Sequence, residues 1–258
     1  MNILNSRGPA TAKTKDNLKE LLSVKNSSMT SADLYIYGEI VSSSWATWDD
    51  EDKYPEEIRE FLKEQEGKDL NIYINSPGGS VYAGMAIYNM LKRHRGRKIV
   101  RVDGVAASIA SVIAFAGDEI IVPKNAFLMI HKPWTAAAGN STEFRKIADD
   151  LDAIEKGIIS VYKENLAEGV NIEDIKQLVE EETWLNGDEA AKHFNIQVTE
   201  EQRYAASAKD LEFMARFKNV PKKVIETAQV ADEYTENEKT VEKIKRVYID
   251  AITKGETL

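Results

Sequence analysis

Apolar and polar positions in the first half of the chain switch repeatedly between two periods. Residues 34–41, 70–75, 98–103, 119–123 and 126–131 are short runs that alternate or are rich in Val and Ile, which predicts strands. Between them, residues 55–66, 81–94 and 108–116 carry apolar side chains at helical spacing or as a continuous run, which predicts helices; Val81, Met85, Tyr88 and Leu91 mark one such face. Strands alternating with helices predict an α/β layered fold, whose β-α crossovers bring sequence-distant loops to one edge. Further on, Phe144, Ile147, Leu151, Ile154, Ile158, Val161 and Tyr162 form one stripe, predicting a long helix from Thr142 to about Ala167. Asn140, Ser141 and Thr142 offer capping side chains at its start, and the turn Glu168-Gly169-Val170-Asn171 ends it.

Outside this region the pattern thins. Residues 1–32 are polar, with one short helical pattern around Leu18, Leu21 and Leu22, and read as a flexible N-terminal arm. Residues 33–199 form the predicted folded domain, and residues 200–258 a charged C-terminal extension. Within the extension Val241, Ile244, Val247, Tyr248 and Ala251 predict a terminal amphipathic helix, either a regulatory or assembly tail or a mobile segment that docks loosely.

Composition narrows the chemistry. At 258 residues and 43% hydrophobic content the chain suffices for one large core plus appendages. It has no apolar run of the roughly eighteen residues a membrane helix needs, and its start lacks a signal-peptide apolar core, so a soluble, cytoplasmic protein is expected. A net charge of −9 argues against nucleic-acid binding. Zero cysteines exclude disulfides, a thiol nucleophile and cysteine metal sites, and three dispersed histidines offer no zinc set, so neither metal nor cofactor is expected.

A nucleophile other than sulfur is available in Gly104-Val105-Ala106-Ala107-Ser108-Ile109-Ala110-Ser111, where small side chains surround a serine at a predicted strand-to-helix passage. Such a passage lifts a hydroxyl into a cleft, frees backbone N–H groups to face an oxyanion, and sets the serine where helix dipoles favour negative charge. The same small residues would also let a helix pack closely on a sheet with no chemistry at all. His131 ends the apolar run Ala126-Phe127-Leu128-Met129-Ile130 and is thereby held in place, whereas His94 and His193 sit at predicted helix ends. Upstream, Asn75-Ser76-Pro77-Gly78-Gly79-Ser80 breaks a strand into a predicted turn whose glycines permit positive φ and let an amide point outward. It lacks the Lys-Ser/Thr of a phosphate loop and the spaced glycines of a dinucleotide site, which favours an oxyanion or substrate-backbone role.

Taken in order, Ile74-Asn75-Ser76-Pro77-Gly78-Gly79, Gly104-Val105-Ala106-Ala107-Ser108 and Met129-Ile130-His131-Lys132-Pro133 resemble the ClpP family of serine peptidases, a likeness that runs from about Asp33 to about Thr199. The resemblance implies a ClpP/crotonase-type spiral of β-α units. It also implies a protruding handle containing the long helix, preceded by a segment matching Thr135 to Gly139, through which two heptameric rings of the same chain stack. Ser108 would be the nucleophile, His131 the general base, Gly79 and Ile109 the backbone oxyanion donors, and Gly78 a substrate-binding position. The acid aligns with Glu182, where the family has aspartate; Ser-His-Glu triads exist, Glu180 or Glu181 would serve in another register, and all three also read as a solvated helix end.

Asp33-Leu34-Tyr35-Ile36-Tyr37-Gly38-Glu39-Ile40, Trp48, Trp134 and Glu182-Thr183-Trp184 are similar to the phage and prophage branch, which implies cleavage of capsid or scaffold proteins during head maturation. The alternatives are a housekeeping proteolytic subunit working with an AAA+ unfoldase, a non-catalytic capsid-assembly protein on the same fold, and a crotonase-type acyl-CoA enzyme whose turn binds a thioester carbonyl.

Overall fold

Along β1 (Ser31–Ile40) every second side chain, Ala32, Leu34 and Ile36, is buried, and β2 (Asp69–Gly79) repeats the alternation with Leu70, Ile72 and Ile74. The outward rows lock the register: Tyr35 stacks on Tyr73 at 4.9 Å, and Asn71 donates to Asp33 at 2.8 Å across the paired strands. These elements come from a computed structural model that describes residues 30–47, 52–201 and 217–222. The remaining strands are β3 (Lys98–Ala107), β4 (Glu119–Pro123), β5 (Phe127–Ile130), β6 (Thr183–Asn186) and β7 (Gln197–Thr199).

The order β1-β2-β3-β4-β7 is parallel throughout. Parallel neighbours need crossovers, here α1 (Pro55–Glu64), α2 (Val81–Arg93) and α3 (Ile109–Ala114). This is the α/β class predicted from the alternating periods. β3 divides its partners: residues 99–101 pair with β4, and residues 105–107 with β5. β6 then returns antiparallel along β5.

Three further α-helices are α4 (Ser141–Glu164), α5 (Ile172–Glu180) and α6 (Gly187–Ala190), and a 3-10 turn spans Ser44–Ala46. α4 opens on the predicted cap, with Asn140 and Glu143 forming a reciprocal capping box, and ends three residues before the expected Ala167, at Glu164. Of its stripe only Ile158, Val161 and Tyr162 are buried. His94 caps the end of α2, with its ring nitrogen 2.7 Å from the Lys68 carbonyl oxygen, a structural histidine.

The main core lies between the sheet and its helices and includes the ring cluster Phe115, Tyr162 and Phe194. A smaller apolar cluster, Val105, Ala107, Phe127, Met129 and Trp184, uses the alternate β5 side chains and therefore the other face of the sheet. Phe217 and Val220 of the C-terminal extension pack on it.

Two sequence readings change. Asn75–Ser80 does not break the strand: β2 continues to Gly79 with a register shift after Ile74, and Gly78 and Gly79 pair with Glu39 and Ile40. Pairing survives because glycine adopts φ +94° and +143° without a Cβ clash. Ser31 and Ala32, placed in the arm by composition, already pair with Asp69 and Leu70. The rest of the arm, Trp48 and the predicted terminal helix lie outside the described residues. No helix among the described residues is long and apolar enough to cross a membrane, and no His, Asp and Glu group among them is placed to hold a metal ion.

Candidate active site

Sheet register brings the serine and the histidine together. Ala106 and Ala107 pair with Leu128 and Met129, so Ser108, just past β3, meets His131, just past β5. The Ser108 N–H donates to the Met129 carbonyl at 2.9 Å, which anchors the corner. Ser108 has φ +54° and ψ −127°, a conformation rarely adopted by a residue with a Cβ and maintained here by the fully buried α3 that follows. The corner holds the hydroxyl at the edge of the sheet, and Ser108 Oγ lies 2.7 Å from His131 Nε2.

His131 is buried, only 9% exposed. Burial pushes its imidazole below the usual 6.5, and the charge of Glu182 acts in the opposite direction. Near pH 7 the ring is therefore neutral and able to accept the hydroxyl proton.

Behind the corner is a relay the sequence did not reveal. Ser111 Oγ donates to the Ser108 carbonyl at 2.6 Å and lies 2.8 Å from Tyr162 Oη. Ser111 has one hydroxyl proton, so Tyr162 donates to Ser111, and α4 is tied to the serine corner. Within the run Ile109 to Phe115, Ser111 is the polar residue.

Both glycines are packed. A Cβ on Gly78 would lie 2.7 Å from the Ala107 carbonyl oxygen, 2.7 Å from Ser108 Cβ and 3.2 Å from the Ile109 nitrogen. Gly78 thus runs directly against the serine and the first residue of α3, whose N–H has no acceptor within the helix. Gly79 is seated on β1, where a Cβ would meet the Ile40 carbonyl oxygen at 2.2 Å. Ser76 shapes this strand end by donating to the Gly38 carbonyl at 2.6 Å and accepting the Gly78 N–H at 3.2 Å.

The three glutamates separate. Glu180 pairs with Lys132, and Glu181 accepts from the Gln177 side chain at 2.9 Å. Glu182, at φ +53° in the turn before β6, is the one whose charge acts on His131. Among the described residues it makes no hydrogen bond to the imidazole; its Oε1 accepts the backbone N–H groups of Lys218 and Asn219 at 2.5 and 3.0 Å. Lys218 and Asn219 lie in the charged 200–258 segment and belong to no motif; the apolar positions beside them, Met214, Phe217 and Val220, recur every three residues.

A buried serine–histidine pair on a parallel α/β sheet is the arrangement of a serine hydrolase, and comparison with known proteins narrows the class. The Clp protease family profile matches residues 30–196. The chain is 36% identical over 137 residues to the ATP-dependent Clp protease proteolytic subunit of Ligilactobacillus salivarius, covering 52% of this chain and 68% of that protein. It is 31% identical over 130 residues to the protein of the same name from Bacteroides fragilis, covering 49% of this chain and 61% of that one. The chain belongs to the Clp protease family, a family of serine peptidases.

Proposed function

We propose that this protein is a ClpP-type endopeptidase that hydrolyses peptide bonds in protein substrates through Ser108, His131 and Glu182. The 2.7 Å contact between Ser108 Oγ and His131 Nε2 carries the reading. Ser108 Oγ attacks the scissile carbonyl carbon while His131 Nε2 takes the hydroxyl proton. The Gly79 and Ile109 backbone N–H groups stabilise the oxyanion, and Gly78, with no side chain, leaves room for the substrate backbone beside Ser108. His131 then protonates the leaving amine, and the acyl-serine forms. Water, losing its proton to His131, attacks that ester; collapse releases the carboxylic acid product and returns the proton to Ser108. Glu182 stabilises the imidazolium formed in both halves of the reaction.

A crotonase-type acyl-CoA enzyme or a non-catalytic assembly protein has no use for a buried serine–histidine pair. The ATP dependence of the relatives, both proteolytic subunits, supports a subunit that works with an ATP-driven unfoldase. Self-association into stacked rings is supported by the exposure of Tyr82 and Phe144 on α2 and α4. The capsid- or scaffold-processing role has support in the Trp134 and Glu182-Thr183-Trp184 resemblances. Incubation of the purified protein with unfolded casein, alone and with a Clp ATPase, tests the reading. Ser108-dependent cleavage is expected from a species sedimenting as a ring; cleavage that survives Ser108→Ala, or activity in a monomer, overturns the corresponding part.

A further inference from the structure

Among the described residues of the charged extension, 217–220 contact the site. Besides the two backbone donors on Glu182 Oε1, Asn219 Nδ2 donates to the Glu181 carbonyl at 2.9 Å and the Glu182 carbonyl at 3.2 Å. These bonds latch the turn in which Glu182 holds its positive φ. Phe217 sets its ring edge-to-face on His131, centroids 5.4 Å apart, and on Trp184 at 5.8 Å. Val220 joins the apolar cluster beneath. The acid is therefore held by main chain, the acid's turn by a side chain, and the base by a ring, all from residues 217–220.

We propose that Phe217, Lys218 and Asn219 are positioning residues of the active site, which hold the Glu182 carboxylate facing His131. The proposal rests on the serine-peptidase reading above. The physical need is specific to a glutamate: it has one more rotatable bond than an aspartate, so its carboxylate must be fixed by added contacts to act at a defined place. Two backbone N–H donors on one carboxylate oxygen do this. Among the described residues Glu182 Oε2 and His131 Nδ1 carry no other partner, which leaves them for each other when the imidazole becomes charged. Lys132, next to His131, is taken up by Glu180 and lies 3.8 Å from Glu155, so Glu182 is the nearby charge that repositioning would move.

Lys218→Pro in the full-length protein tests this, because proline deletes the nearer N–H donor at an exposed position. We expect kcat to fall by about tenfold to a hundredfold with KM within about twofold, and no further loss when the same change is made in Glu182→Gln. Asn219→Ala, which keeps both N–H donors and removes the latch, is expected to show a smaller loss with the same non-additivity. A second readout does not need turnover: in a Ser108→Ala background, the NMR titration of His131 should move to lower pH with Lys218→Pro, and should not move further once Glu182 is Gln. An unchanged or increased kcat, an undiminished loss in the Glu182→Gln background, or an unmoved His131 titration overturns the positioning role. Absence of Ser108-dependent hydrolysis in the parent, with the titration still moving, overturns the peptidase reading and leaves the contact to Glu182 standing.

Discussion

Gly78→Ala places a methyl group where the structure has no room. At φ +94° an alanine is held in a sparsely populated conformation, at a cost of about 1–3 kcal/mol. Its Cβ would also lie 2.7 Å from both the Ala107 carbonyl oxygen and Ser108 Cβ, and overpacking of this kind costs a further ~1–3 kcal/mol. Gly67→Ala separates the two effects, since Gly67 has φ +78° and nothing within 4 Å of an added Cβ. Chemical denaturation of both variants should therefore show Gly78→Ala less stable than Gly67→Ala by about 1–3 kcal/mol, the packing share alone. Relief of the clash pushes Ser108 off its 2.7 Å contact with His131, and a misplacement near 1 Å costs roughly a hundredfold in rate. The rate of Ser108 modification by a fluorophosphonate should fall by that order in Gly78→Ala and stay near parent in Gly67→Ala. Equal stability losses in the two variants, with parent-like modification of Gly78→Ala, would refute the packing argument.

Three further outcomes follow from the same geometry. Burial holds His131 below 6.5, and a protonated ring cannot accept the Ser108 proton, so kcat/KM should stay level through neutrality and fall only as pH drops through a midpoint under 6.5; a midpoint at or above that value contradicts the assignment. Glu182→Gln removes the charge that raises the His131 pKa, so a pH–rate series should show this midpoint moving still lower together with a reduced kcat. Ser111→Ala leaves the fully buried Tyr162 hydroxyl without its partner and should cost about 1–3 kcal/mol in denaturation, whereas Tyr162→Phe leaves Ser111 still donating to Ser108 and should cost about 0.5–1.5 kcal/mol.

Legibility from sequence followed the length and regularity of each element. β1 to β5, α1 to α4 and the cap at Asn140 carry strong periodicity or capping chemistry, and their positions matched expectation within a few residues. β6, α6 and β7 span four, four and three residues, too short for any period to appear. Ser108 and His131 were each recognisable, but their contact depends on the pairing of residues 105–107 with β5, a long-range register that no local pattern encodes. Gly78 and Gly79 announced close backbone approach correctly and a turn incorrectly, because the freedom that permits a turn also permits an irregular strand. The docking of Phe217 and Val220 was hidden because the apolar positions of that stretch carry no signal of the long-range contacts made with Trp184 and His131.

The most direct measurement is the mass of the intact protein, and a map of its peptides, after reaction with a fluorophosphonate. A serine whose proton is drawn off by a neighbouring imidazole reacts where the other serines of the chain do not. One adduct is expected, on Ser108, absent from Ser108→Ala and formed on the order of a thousandfold more slowly in His131→Ala, since nucleophile and base act as a unit. No adduct on the parent protein, or an adduct that persists in Ser108→Ala, would contradict it.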